Sequence, residues 1–207
     1  QYGALTYVDE VHAVGLYGHN GAGIAAMEHA TELIDIINGT FSKALGVFGG
    51  YIATSVALAD FVRSFGSGFI FTTSLPPAIC AAATVAIQHV QQDDSERKQL
   101  HALVQTLRQQ LQLANISFTN NDSHITCIHI GDAAACKQIA DTLLKKHSVY
   151  LQPINYPTVP EGEACLRIIV TAKHTTRQIN HLVYSLQTTL NEQHQAHRTK
   201  FEALTHS

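Results

Sequence analysis

Two hydrophobic patterns follow one another along the chain. In the first half, short apolar runs alternate with helix-compatible segments, which predicts an α/β layer arrangement. Strands are predicted over 4–8, 34–38, 49–53 and 69–72. Between them, 58–67 places Leu58, Phe61, Val62 and Phe65 on one helical face. Pro76-Pro77 opens a long apolar helix running to Val90, because proline is tolerated in a first helical turn. Asp93-Asp94-Ser95 interrupts and caps. The stretch 96–113 then reads as an amphipathic helix with Leu100, Leu103, Val104, Leu107 and Leu111 on its apolar side.

After Asn115 the pattern changes to a compact α+β unit, with strands at 125–130, 149–153 and 165–170 and helices at 133–147 and 175–190. The predicted division is 1–94 as part of a larger domain, with a mainly parallel sheet, and 95–192 as a small α+β domain. Residues 193–207 form a polar, histidine-rich tail expected to fray. The strand at 4–8 has almost nothing before it, so the chain is expected to begin inside a fold, with an N-terminal portion missing.

Composition narrows the function classes. With 45% hydrophobic and 14% charged residues, the 207-residue chain is expected to be globular with a filled core. A net charge of -3 and the lack of a basic block argue against nucleic acid. No apolar run approaches the roughly 20 residues of a membrane helix. A cytoplasmic protein is expected, or one of the mitochondrial matrix if the source is eukaryotic. Cys80, Cys127, Cys136 and Cys165 lack Cys-x-x-Cys spacing and read as free thiols, and the scattered histidines do not suggest a metal site.

The candidate chemistry gathers early. Lys43 stands in Gly39-Thr40-Phe41-Ser42-Lys43-Ala44-Leu45-Gly46, a loop of small residues without an acidic neighbour. Desolvation there would favour an amine able to shed its proton and attack a carbonyl. Upstream, Asp9-Glu10-Val11-His12 closes a strand. It matches the acidic box of helicase-type ATPases, but that reading needs a Gly-Lys-Ser/Thr phosphate loop and the chain has no Gly-Lys step. It also reads as a turn in which Asp9 caps a helix. A third reading is cofactor chemistry, with Asp9 keeping a pyridine nitrogen protonated and His12 reaching the ring hydroxyl.

Gly15, Gly18, Gly21 and Gly23 form a glycine-rich run in which Gly21-x-Gly23-x-x-Ala26 half-resembles a dinucleotide loop, but the acid precedes the glycines instead of following them. Tight turns against a cleft explain them equally well. Thr40 and Ser42 are placed to meet a phosphate. Thr72, Thr73 and Ser74 form a second hydroxyl cluster before a helix start, where they serve as anion ligands, as N-caps, or both. Arg167, alone among apolar residues, is either an ion-pair partner or a carboxylate receptor.

Together these residues resemble the α-oxoamine synthases, pyridoxal phosphate (PLP) enzymes of fold type I. The resemblance covers roughly residues 2–190. It is carried most specifically by Gly68-Phe69-Ile70-Phe71-Thr72-Thr73-Ser74-Leu75-Pro76-Pro77 and by Gln152-Pro153-Ile154-Asn155-Tyr156-Pro157-Thr158-Val159-Pro160. It implies Asp9 on the pyridine nitrogen, His12 on the ring oxygen, Thr40 on the phosphate and Lys43 as the Schiff-base lysine and proton carrier. It implies Thr72 and Thr73 on the phosphate bound by a neighbouring subunit of a homodimer, and Arg167 on the carboxylate of glycine. Within the family the two strings point to the joining of glycine and succinyl-CoA, giving 5-aminolevulinate, CoA and carbon dioxide in tetrapyrrole (heme) synthesis. A sister synthase with another amino acid and acyl-CoA is the nearest alternative, and a non-catalytic remnant the next.

Ile168-Ile169-Val170-Thr171-Ala172-Lys173-His174 stands where such synthases carry a proline- and threonine-rich turn. The residues that stack on the ring and hold the CoA arm are expected upstream of Gln1. The chain by itself is therefore expected to bind PLP poorly or not at all.

Overall fold

The computed structural model describes the backbone of residues 2–205 and the side chains of 2–193 and 195. The chain divides into two compact units, 1–97 and 98–207.

The first unit holds a three-stranded sheet of β1 (Tyr7–Asp9), β2 (Ile36–Thr40) and β3 (Gly50–Thr54), with β2 in the centre. The β1–β2 pair is parallel, with Asp9 opposite Asn38. The β2–β3 pair is antiparallel, with Gly39 opposite Tyr51. The sheet expected to be mainly parallel thus has one pairing of each kind. Asp35 fastens the start of the parallel pair by accepting from Thr6 N–H at 2.8 Å and Thr6 Oγ1 at 2.9 Å.

Around the sheet lie α1 (Ile24–Met27), α2 (Val56–Phe65), α3 (Ser67–Ile70) and α4 (Pro77–Gln92). Ser55 caps α2 by accepting from Leu58 N–H at 3.4 Å. Pro77 opens α4, and no side chain caps it, so Thr73 and Ser74 are not its N-caps. The predicted strand at 69–72 is instead α3 and the turn after it. Its amides donate to the carbonyls of Gly66 and Ser67, and Thr72 Oγ1 donates to Gly68 O at 2.6 Å. A short apolar run bracketed by glycines fits one helical turn as readily as a strand.

Ala13, Ala25, Leu45 and Ala83 are the buried apolar residues described in this unit. By contrast Tyr2, Phe48, Phe61, Phe65 and Phe71 are exposed.

The second unit is built on an antiparallel sheet in the order β4 (Ile125–Gly131), β6 (Ala164–Ile169), β5 (Gln152–Ile154). Alternation along β6 buries Ala164, Leu166 and Ile168 together. The helix α6 (Ala133–His147) packs on all three strands, and α7 (Thr176–Thr205) packs on α6. The helix α5 (Ser95–Leu113), which crosses the boundary between units, buries Leu100, Leu103, Val104, Leu107 and Leu111. Asp132 begins α6 by accepting from Ala135 N–H at 2.7 Å.

The tail expected to fray is helical. α7 continues to Thr205, and the last two residues lie outside the described ones. The four cysteines are free thiols. Among the described residues, no helix is long and apolar enough to cross a membrane.

Candidate active site

In a parallel pair, ligand-binding groups collect beyond the carboxyl ends of the strands. Asp9 ends β1 and Thr40 ends β2 beside it, so the two lie at the same end of the parallel pair. Asp9 is exposed, and its Oδ1 accepts from Val11 N–H at 2.9 Å, which turns the chain away from the strand. His12 is exposed on that turn. The helix-cap reading of Asp9 is replaced by this local turn.

Lys43 sits at the tip of the loop joining β2 to β3. Three backbone bonds close the loop: Phe41 N–H to Gly49 O at 2.9 Å, Val47 N–H to Phe41 O at 2.8 Å, and Gly46 N–H to Lys43 O at 3.0 Å. Leu45 is buried and anchors the loop from below, while the Lys43 side chain is exposed. The small neighbours therefore supply room around the amine. The desolvation expected from the sequence is not provided by this unit.

Thr40 Oγ1 lies 2.8 Å from Ser42 Oγ and donates to Gly49 O at 3.2 Å. The two hydroxyls thus lie together at the start of the loop. On the far side of the loop Leu75 lies close over Gly49, where an added Cβ would be 3.0 Å from Leu75 Cδ1. The segment carrying Thr72 and Thr73, both exposed, thus borders the Lys43 loop.

Arg167 lies on β6 in the second unit, opposite Cys127 of β4 and Gln152 of β5. It is half-buried, and its Nε is a buried donor without a hydrogen-bond partner. An orphaned guanidinium N–H is what an anion receptor presents before its anion arrives. No ion pair of Arg167 with a carboxylate is among those found in the described residues. Within the first unit, the exposed Lys43 amine and the Thr40–Ser42 hydroxyl pair are donors of the kind that PLP needs; within the second, the Arg167 Nε–H suits a carboxylate. A cleft of about 600 Å³ in the second unit, between Ile116, Ile128, Ile139 and Leu190, includes none of these residues.

Sequence reasoning missed two residues near this site. Glu10 is 2% exposed, with its carboxylate on backbone N–H groups of α1. Tyr51 lays its ring on Gly39 and stacks on Phe41 at 5.3 Å between centroids. Burial raises the Tyr51 phenol above its ordinary pKa, and the nearby Glu10 charge adds to the effect. Alternation offers the one available signal, since it sends Glu10 inward once Asp9 faces out.

The family model for aminotransferase class I and II matches residues 1–186, and the chain belongs to this family. It is 50% identical over 186 residues to the 5-aminolevulinate synthase of Rhizobium meliloti (strain 1021), covering 90% of this chain and 46% of that protein. It is 46% identical over 188 residues to the erythroid-specific, mitochondrial 5-aminolevulinate synthase of Danio rerio, covering 90% of this chain and 32% of that one.

Among solved structures, a serine palmitoyltransferase with a PLP internal aldimine superposes with a TM-score of 0.83 at 30% identity, over 90% of this chain and 47% of that one. The 8-amino-7-oxononanoate synthase of Francisella tularensis gives 0.77 at 24% identity, over 91% and 55%, and shares the fold. The expected α/β fold, that of PLP-dependent fold type I enzymes, is the one these neighbours have. The chain spans about half the length of the first curated relatives it matches, 46% of the Rhizobium protein.

Proposed function

We propose that this chain is part of a PLP-dependent acyltransferase that joins glycine to succinyl-CoA, releasing 5-aminolevulinate, CoA and carbon dioxide. The observation that carries the reading is the 45–50% identity, over 90% of the chain, to proteins named 5-aminolevulinate synthase. The geometry at the ends of β1 and β2 supports it.

Bound there, PLP supplies an electron-poor ring that accepts negative charge from the substrate carbon next to its amine. Asp9 holds the pyridine nitrogen and keeps it protonated, while His12 meets the ring oxygen. Thr40 Oγ1, turned from Gly49 O, donates to the phosphate, and the Thr72 and Thr73 hydroxyls reach the phosphate of the neighbouring subunit in a homodimer. Lys43 Nζ is the amine that carries the cofactor. When not engaged with the cofactor, Nζ would take a proton from glycine Cα and later return one to the product. Arg167 holds the glycine carboxylate through charge-assisted hydrogen bonds until that group leaves as carbon dioxide.

The site needs more than these residues. Lys43 is exposed, and large rings of the first unit face outward. The chain alone therefore binds PLP weakly, and the 207 residues require the portion that the relatives carry in addition. The cytoplasm is the expected compartment.

A second reading, a sister synthase with another amino acid and thioester, draws on the 30% identity to serine palmitoyltransferase structures. The test is a panel of glycine, alanine and serine against succinyl-CoA and longer thioesters. It is run on these residues joined to the remaining half of a relative. Release of CoA with glycine and succinyl-CoA alone supports the first reading. Turnover preferring serine and a long-chain thioester overturns it.

A further inference from the structure

The structure assigns Glu10 as a positioning residue whose buried carboxylate clasps the glycine-rich segment 13–23 and, through Gly15, holds the loop that carries Lys43. The inference rests on the function proposed above only for what Lys43 does; the clasp itself is visible in the chain.

Glu10 Oε1 accepts from Ala25 N–H at 2.6 Å and Oε2 accepts from Ile24 N–H at 3.0 Å. Both donors are first-turn amides of α1, which no residue of the helix itself can satisfy. The residue's backbone is equally engaged. Its N–H donates to Asn38 O at 2.8 Å, next to Thr40's strand end, and its carbonyl accepts from Ala13 at 2.8 Å and Val14 at 3.0 Å. Glu10 thus ties together the end of β2, the start of the glycine-rich segment and its finish.

The segment is closed on itself by Gly15 N–H to Gly21 O at 2.8 Å and Gly23 N–H to Tyr17 O at 2.9 Å. Its glycines mark close approaches. A Cβ on Gly23 would lie 2.9 Å from the Glu10 carboxylate, and one on Gly15 would lie 2.6 Å from Ala44 Cβ. Ala44 follows Lys43 directly. The backbone of the clasped segment is therefore a wall against which the lysine loop rests. Adjacent residues at the end of β1 differ in role, because Asp9 is exposed and Glu10 is buried.

The test is hydrogen–deuterium exchange on the cofactor-free chain, read in peptides covering 13–25, 41–47, 50–56 and the second unit. Glu10→Ala leaves the buried Ala25 amide and the part-buried Ile24 amide unpaired. It should speed exchange about tenfold or more in 13–25 and also in 41–47, with 50–56 and the second unit unchanged. Glu10→Gln keeps one acceptor oxygen and should fall between. Ala83→Gly, a destabilising change elsewhere in the same unit, should not single out 41–47.

If Glu10→Ala fails to fold, Glu10→Gln carries the test, together with Ala44→Gly, which should loosen 41–47 and leave 13–25 intact. Faster exchange in 13–25 without any change in 41–47 would overturn the proposal, as would no change in either. These readings need no cofactor. Failure of Lys43 to take PLP in the unaltered chain joined to the remaining half of a relative would sink the proposed function while leaving the clasp result to stand.

Discussion

Gly15→Ala should damage the Lys43 loop by more than its own backbone strain explains. Gly15 has φ +87°, and an added Cβ would lie 2.6 Å from Ala44 Cβ. A left-handed backbone costs a residue with a side chain about 1–2 kcal/mol. Non-bonded carbons rest at about 3.5–4.0 Å, so the new methyl must be relieved by roughly 1 Å of movement. Ala44 has no rotamer through which to yield, and overpacking of this kind costs about 1–3 kcal/mol more.

Gly46 is the control. Its φ is +65° and nothing lies within 4 Å of an added Cβ, so Gly46→Ala should show the backbone strain alone. In the double variant Gly15→Ala/Ala44→Gly the opposing methyl is gone, and the steric part should return as a coupling of about 1–3 kcal/mol. Urea titrations of the parent, the single variants and the pair, followed by far-ultraviolet circular dichroism, measure these differences. Equal losses for Gly15→Ala and Gly46→Ala, or no coupling with Ala44→Gly, would refute the close approach and the support it gives the lysine loop.

Other expectations follow from the second unit. Leu107 is fully buried, so Leu107→Ala should lower stability by about 2–5 kcal/mol, and a loss under about 1 kcal/mol in a denaturant titration would contradict its place in the core. Burial, helped by the neighbouring Cys127, pushes the Cys165 thiol from 9.0 up to about 11. The unfolded chain ionises first, so this thiol withdraws stability as pH rises from about 9 to about 11 and contributes nothing below that window. Alkylation of Cys165 in the folded protein should stay far slower than that of exposed Cys80 until the pH nears 11, and equal rates near pH 9 would refute the burial argument.

Where the sequence was legible, one physical signal dominated. α5 was readable from five leucine and valine positions at helical spacing. α6 was readable with its bounds intact, because Asp132 caps its start and Lys145, Lys146 and His147 crowd its last turn. At 69–72 the apolar run was too short to tell a strand from a turn of helix. In 193–205 polar composition was mistaken for fraying, although the segment lacks glycine and proline and is rich in good helix formers.

Asp9, Thr40 and Lys43 were legible as candidates because acid, hydroxyl and amine stand out among small residues. Glu10 was not, since its partners are backbone amides fourteen and fifteen residues away, and backbone amides leave no trace in residue type. The contact of Gly15 with Ala44 was hidden for the same reason. Lys43 is exposed, so the small residues around it supply room and not the burial that the sequence suggested.

The central claim is that Lys43 is the amine that carries PLP. It is tested most directly by incubation with PLP, borohydride reduction and peptide mass mapping, on the chain alone and on the chain joined to the remaining half of a relative. The other lysines all lie in the second unit, so the position of the label is unambiguous. The account predicts a reduced pyridoxyl group on the Lys43 peptide, sparse in the chain alone, stoichiometric in the joined polypeptide and absent in Lys43→Ala. Label spread over the second-unit lysines, with none at Lys43, would contradict it.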